Sequence, residues 1–368
     1  MLVQDRKDAG IPTMAVSNAL SRPGLDLTPA LQRDLAALRL ALSGESVIDM
    51  ARMAFDSRAS VDHFLRLNQF DTDNPLDLAR LKEIHQEAVG YLADIHHLRL
   101  PAELERPAEI HEVFLAANRG PARLRRTACM MLKVMHIIHH LSGRELTFAI
   151  AVSEAQLFER LSARVFTEIE RMRAAGIDVV EFAGGKKSRT SLVSKLLARR
   201  STVTAHVFDK LRFSVTLRSE AELVRALIYL GHNLFPFNFV VPEQSRNKIV
   251  TPQHVATALG LDPGVVEGFW AQPGAPGEPL VVPESNEFSG AGYRAVSMVI
   301  DIPIRIDDLA PSHTPAIAFV ETEIQLVDVK TALANSQGDS SHAAYKKRQL
   351  ARVRARLLGN GDGDEIAN

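Results

Sequence analysis

Apolar positions recur every three to four residues through the first half of the chain, and at every second residue in several short runs after it. The first spacing predicts helices, and the second predicts strands with one buried face. Thr28 before Pro29 is a cap followed by proline at the first helical position, and Asn74 with Pro75 repeats the device ahead of the periodic stretch Leu76 to Leu98. Pro121 opens another helix, through Leu124, Met131, Leu132, Met135 and Ile138. Ser153 with Gln156 makes a capping box, and the helix it starts runs to a stop at Gly176. Residues 1 to about 25 follow neither period and are expected to be irregular.

After Gly176 the character changes. IDVVEF, Leu211 to Leu217, Tyr293 to Ile306 and Ala318 to Val327 read as strands, with an amphipathic helix from Ser219 to Leu230 between them and a closing helix from about Ser341 to Leu358. Residues 242 to 290 form a long Pro/Gly-rich connection holding one short helix, Pro252 to Leu259, capped by Thr251. The tail GNGDGDEIAN has no apolar anchor and is expected to be disordered. The pattern is therefore α+β: an all-helical region over 26–150, then a mixed β-sheet domain with flanking helices over 151–355 and a tail over 356–368.

Composition narrows the functional classes. Apolar residues make up 46% and charged residues 24%, the balance of a soluble globular chain. The net charge of −1 gives no global basic field, so any phosphate-binding surface must be local. Cys129 is the single cysteine, which excludes an internal disulfide and a multi-cysteine zinc cage; inside its apolar run it reads as a buried thiol. No apolar stretch reaches the roughly 18 residues of a membrane span, and the N-terminus lacks a signal-peptide core. No membrane partner is expected, and the reading is cytoplasmic.

Candidate chemistry concentrates after residue 180. Alternation along Ala318 to Val327 places Glu321, Glu323 and Gln325 on one strand face, either the solvated side of a half-exposed sheet or a set of oxygen ligands for magnesium. Asp209, at the head of a second strand, can join Glu323 on one metal if the two strands are neighbours. Lys186, Lys187, Arg189, Lys195, Arg199 and Arg200 form a basic segment, with Lys187 and Ser191, and Ser191 and Lys195, at i and i+4; it is either a solvated helix face or a polyphosphate grip, with Gly184–Gly185 freeing the backbone to approach the anion. In SGAGYRA, Tyr293 can stack on a base and Arg294 can pair with phosphate; the alternative is a tight turn at a strand edge. His136, His139 and His140 share a helix without the glutamate of the zincin pattern, and read as surface or core-edge histidines.

The order of these pieces carries more than any one of them. A basic helix with Lys187, Ser191 and Lys195 is followed by DKLRFSV from Asp209, a helix and a connection, then Gly292-Tyr293-Arg294, Glu323-Ile324-Gln325 and the H-x-x-Y-K run of His342, Tyr345 and Lys346. Over about residues 153 to 350 this resembles the RelA/SpoT synthetase domain, which includes the small alarmone synthetases. The resemblance implies a nucleotidyltransferase-like fold and ATP-dependent transfer of pyrophosphate to the 3′-hydroxyl of GDP or GTP. It implies that Lys187, Ser191 and Lys195 hold the ATP phosphates and that Arg212 assists them. Asp209 and Glu323 would be the catalytic and Mg2+-binding carboxylates, with Glu323 activating the acceptor hydroxyl. Tyr293 would stack on the acceptor base, with Arg294, Gln325, His342, Tyr345 and Lys346 completing the substrate site. Ser297 stands where the family has a histidine, and Val327 where it has an arginine. Two further readings stay open: transfer to another acceptor, such as an adenosine nucleotide or the 3′ end of tRNA, and a non-catalytic nucleotide-binding or regulatory domain. The family's hydrolase signature is absent, so no alarmone hydrolysis is expected. The helical region is open to docking on the catalytic domain, regulating it or forming a homo-oligomer.

Overall fold

The computed structural model describes residues 28–43, 53, 55–198, 211–271, 290, 292–309 and 315–358. The stretch 1–25, Arg199, Arg200, Asp209 and the tail from residue 359 lie outside the described residues. The helices are α1 (Pro29–Ser43), α2 (Arg58–Leu67), α3 (Pro75–Gly90), α4 (Ala102–Glu105), α5 (His111–Ala116), α6 (Ala122–Ala149), α7 (Glu154–Ala174), α8 (Arg189–Ala198), α9 (Glu220–Asn233), α10 (Pro252–Leu259), α11 (Pro263–Trp270), α12 (Val329–Asn335) and α13 (His342–Leu358). The strands are β1 (Val179–Lys186), β2 (Leu211–Leu217), β3 (Arg246–Asn247), β4 (Val296–Arg305) and β5 (Ile317–Asp328). They form one mixed sheet in the order β1-β2-β5-β4-β3, with β2 and β5 parallel and the other pairs antiparallel.

The capping signals read from the sequence act as expected. Asn74 accepts from the amide of Leu76 and opens α3, and Ser153 and Gln156 cap α7 reciprocally. The Ser57–Ser60 box that starts α2 is weaker in sequence, because Ser stands where Glu or Gln is usual. Helix α11 lies in the connection read as structureless beyond α10; its Asp262–Pro263 start is the Asn74–Pro75 device with aspartate as cap. Strand β1 runs four residues beyond Phe182, through both glycines to Lys186. Gly184 is there because Phe213 packs across it: a Cβ would come within 2.4 Å of the phenyl ring. Gly184 thus serves β1–β2 packing, whereas a Cβ at Gly185 would meet nothing within 4 Å. Strand β4 begins at Val296, so Tyr293, Arg294 and Ala295 precede it.

Two cores hold the elements. One sheet face, with Phe213, Val215, Ile324, Leu326, Met298 and Ile300, packs with Leu161, Val165 and Ile169 of α7, Leu223 and Leu227 of α9, and Leu35 and Leu38 of α1. Helices α2, α3, α5 and the inner side of α6 bury Val61, Phe64, Ile84, Phe114, Met131, Leu132 and Met135 in a second core. Cys129 is buried in that second core, as expected. Among the described residues no helix is long and apolar enough to cross a membrane.

Helix α6 joins the two by lying on the other face of β5. Gly143 sits where a Cβ would meet the Phe319 ring at 2.6 Å and the Ile317 carbonyl at 2.8 Å. His140 stacks on Phe319, with ring centroids 3.8 Å apart, and its Nδ1 lies 3.2 Å from Asp301. Arg144 spans Asp301 and Glu321, which raises the guanidinium's pKa against the opposing effect of burial. A second bridge runs from α3 to the end of β4: both terminal nitrogens of Arg305 donate to the fully buried Asp77, at 2.6 and 2.7 Å. His136 and His139 lie in the interior rather than at the surface; His139 rests on Phe70 and Phe319. Burial, and then the neighbouring His140, pushes the His139 imidazole down to about 3, and the same causes hold His136 well below the usual range.

Two outcomes follow. Replacing Arg305 with Met leaves the Asp77 carboxylate buried and unmatched, and is expected to cost about 3–5 kcal/mol in urea-denaturation experiments. For His136 and His139 the folded pKa lies below the unfolded 6.5, so the unfolded chain takes up protons that the folded one refuses. Stability is therefore full above about pH 6.5 and falls as pH drops toward 3, by up to about 2 kcal/mol per histidine at pH 5. A His136→Phe/His139→Phe variant should show a flatter Tm-against-pH curve between pH 7 and 5.

Candidate active site

Because side chains directly opposite across paired strands share a face, the register decides what surrounds Glu323. Arg212 of β2 lies opposite Glu323, and Ser214 lies opposite Gln325. From the other side, Ser297 of β4 lies opposite Gln325. Alternation then places Glu321, Glu323 and Gln325 together, as the sequence pattern predicts. This face is covered rather than solvated. Helix α6 occupies its Glu321 end, and Glu323 is only 8% exposed.

Both carboxylate oxygens of Glu323 are held. Oε2 accepts from Nε and Nη2 of Arg212 at 2.7 Å each, and Oε1 accepts from the Ser297 hydroxyl at 2.7 Å. Gln325 donates from Nε2 to the hydroxyl of Tyr293. Tyr293 enters from the turn before β4, where its amide donates to Gly290. Burial chiefly raises the phenol's pKa; Arg212 opposes the shift, while Glu323 and Tyr345 add to it. Arg212, Glu323, Ser297, Gln325, Tyr293 and Tyr345 thus form one electrostatic neighbourhood.

Helices α8 and α13 pack together beside it. Ala198 and Val353 are buried between them with Leu197 and Tyr345 against them, and Lys346 donates to Ser191 at 3.2 Å. Ser188 caps α8 by accepting from the Ser191 amide, so Lys187 lies just before the helix rather than on it, and only Ser191 and Lys195 are helical neighbours. His342 and Tyr345 face each other on the first turn of α13, their rings 6.2 Å apart and nearly parallel. Arg294 is not part of this group: its Nε donates to the Lys248 carbonyl at 2.9 Å and its backbone is clasped by Asn335, which turns the guanidinium toward the β3 side.

A magnesium seat shared by Asp209 and Glu323 meets a mixed test. The strands are neighbours, as that reading requires, and β2 starts two residues after Asp209. Asp209 itself lies outside the described residues. Among the described residues no group of three His, Cys, Asp or Glu side chains is placed to hold a metal ion. Both Glu323 oxygens are spent on the Arg212 guanidinium and the Ser297 hydroxyl, which does not fit a metal ligand in this arrangement.

No family model matches the sequence, and no curated protein matches it. Among solved structures, the chain is similar to small alarmone synthetase 2 from Bacillus subtilis at 14% identity, over 56% of this chain and 89% of that one, with a TM-score of 0.31. It is similar to small alarmone synthetase 1 from the same organism, bound to its product pppGpp, at 15% identity over 55% and 85%, with a TM-score of 0.32. A GTP pyrophosphokinase family protein from Streptococcus pneumoniae is similar at 14% identity over 58% and 88%, with a TM-score of 0.31.

The Ser297 hydroxyl is a designated donor to a largely buried carboxylate. Ser297→Ala is expected to lower stability by about 1.5 kcal/mol, read as a shift of the urea midpoint at unchanged slope.

Proposed function

We propose that this chain transfers the diphosphate of ATP to the 3′-hydroxyl of a nucleotide acceptor, with Glu323 as the base and GDP or GTP as the first-choice acceptor. The observation that carries this reading is the buried Glu323 carboxylate, aimed by Arg212 and Ser297, with Tyr293 beside it and the basic α8–α13 pair alongside. The sequence order that resembles the RelA/SpoT synthetase domain supports the same roles.

Glu323 takes the proton of the acceptor hydroxyl as its oxygen bonds to the β-phosphorus of ATP. The bridging bond from that phosphorus to the oxygen of the α-phosphate breaks, and AMP departs. Proton transfer to a positioned base contributes about 10²- to 10⁴-fold. Lys195 and Lys346, with Ser191 between them and Lys187 at the helix entrance, supply the positive charge that a pentavalent or metaphosphate-like transition state needs. Arg212 holds the base in its rotamer and adds charge on the acceptor side. Tyr293, its hydroxyl held by Gln325, offers a ring for stacking the acceptor base. A divalent cation, where it accompanies the ATP phosphates, neutralises the charge on the transferred group.

A second acceptor class is favoured by two observations. The position three residues after Arg294 is Ser297, spent on Glu323, and Arg294 is turned to Lys248. The acceptor pocket therefore differs from the family pattern on the side next to Tyr293, which suits an adenosine nucleotide or a tRNA 3′ end. A non-catalytic nucleotide-binding domain is the remaining reading.

Purified protein is incubated with γ-labelled ATP, magnesium and a panel of GDP, GTP, AMP, ADP and tRNA. Label on GDP or GTP supports the first reading, and label on AMP, ADP or tRNA the second; nucleotide binding without transfer leaves only the third. Glu323→Gln is expected to lower transfer by about 10²- to 10⁴-fold while keeping a cooperative unfolding transition. Normal turnover by the folded variant removes the base from Glu323.

A further inference from the structure

Helices α8 and α13 meet along a short seam. Ala198 and Val353 are buried in it, with Leu197 and Tyr345 against them. One polar side chain of α13 shares that burial: Gln349, only 2% exposed. Gln349 and Val353 are one helical turn apart and lie on the same side of α13. A buried amide costs stability unless its polar atoms are bonded, and an apolar residue of the same size would fill the seam without that cost. Packing alone therefore gives no reason for glutamine here. Its partner does: Oε1 of Gln349 accepts from Nζ of Lys346, on the preceding turn, at 3.2 Å.

Lys346 is held from two sides. Its Nζ also donates to Oγ of Ser191 on α8, again at 3.2 Å. An ammonium has three N–H donors and no acceptor. Ser191 and Gln349 engage two of them with neutral oxygens, which fix the nitrogen and set no opposite charge against it. Lys186 is the contrast. It lies 3.0 Å from the Glu154 carboxylate and over the Phe158 ring, so its charge is spent on α7. Lys346 borders the candidate active site, because Tyr345, the residue before it, belongs to the electrostatic neighbourhood of Tyr293.

We infer that Gln349 is a positioning residue: with Ser191 it fixes the Lys346 ammonium in one place, as a charge ready for the phosphate chain of a bound nucleotide. This rests on the reading that the α8–α13 pair holds nucleotide phosphates. A lysine ammonium rides on a flexible four-carbon stem. Ordering such a side chain only at the moment of binding weakens affinity by about 2- to 10-fold. Two fixed acceptors meet that cost when the chain folds. The choice of an amide over a carboxylate follows the same logic, since glutamate at this position would accept the same bond and neutralise the ammonium.

The probe is inorganic tripolyphosphate, titrated into the full chain by isothermal calorimetry. Gln349→Met keeps the volume and removes the acceptor. It is expected to bind about 2- to 10-fold more weakly, with a urea midpoint no lower than the parent's. Gln349→Glu is expected to lose at least about 10-fold, because the added carboxylate cancels the ammonium and repels the anion. Lys346→Met is expected to lose about 10- to 100-fold, the worth of a hydrogen bond between charged groups. Adding Gln349→Met to Lys346→Met should change binding by less than about 2-fold, since the first acts through the second. A parent chain that binds no tripolyphosphate overturns the inference. So does a Gln349→Glu protein that binds like the parent, or a Gln349→Met protein whose urea midpoint falls while its affinity holds. Full additivity of Gln349→Met and Lys346→Met also overturns it. Tripolyphosphate binding is read without diphosphate transfer. The expected pattern in a chain that transfers nothing from ATP keeps the role of Gln349 and discards the catalytic reading, whereas transfer with an additive pair does the reverse.

Discussion

A carboxylate removed from water in the middle of a sheet must be matched by its neighbours, and at Glu323 the match comes from both flanking strands. Arg212 reaches it from β2 and Ser297 from β4, each at 2.7 Å. The parallel pairing of β2 with β5 is what makes the first contact possible. A slip of one residue in that ladder would send Arg212 into the apolar face and leave Glu323 facing nothing of opposite sign. The sheet order therefore decides more than shape. It places a fixed, charged oxygen pair beside a tyrosine and a basic helix pair, and those neighbours give the carboxylate its chemical possibilities.

The polar face of the sheet is legible in the sequence because β5 alternates strictly enough to group Glu321, Glu323 and Gln325 by residue order alone. The helix starts are legible for a similar reason, since cap chemistry is local. What the sequence hides is anything set by distant packing. Gly184 has the setting of a phosphate-approach glycine, and only the Phe213 ring across the strand explains it. Arg294 has the setting of a phosphate ligand beside Tyr293, and its partner is a carbonyl 46 residues earlier in sequence. The histidines of α6 read as peripheral because polarity suggests water, whereas they are packed among aromatic rings. The Ser297–Glu323 bond is equally invisible in sequence: serine carries no signal of its own, and only the β4–β5 register reveals it.

The helical region is tied to the sheet by charge as well as by apolar contact. Arg305 with Asp77 fastens α3 to the end of β4, and Arg144 with Asp301 and Glu321 fastens α6 to the middle strands. Partly buried ionic ties of this kind add less to stability than apolar packing of the same volume would, but they tolerate few alternative dockings. Helix α1 adds to the connection from the other side, with its leucines in the core of the sheet rather than in that of the helices it precedes in sequence.

Gly143 removes the spacing that a side chain would impose between α6 and β5. With backbone lying directly on ring and carbonyl, no layer of side chain separates the two elements at this point. Phe319, beneath that glycine, and Glu323 are four residues apart on the same strand, about 13 Å. A side chain at position 143 would therefore have to lift the helix off the strand that carries the carboxylate.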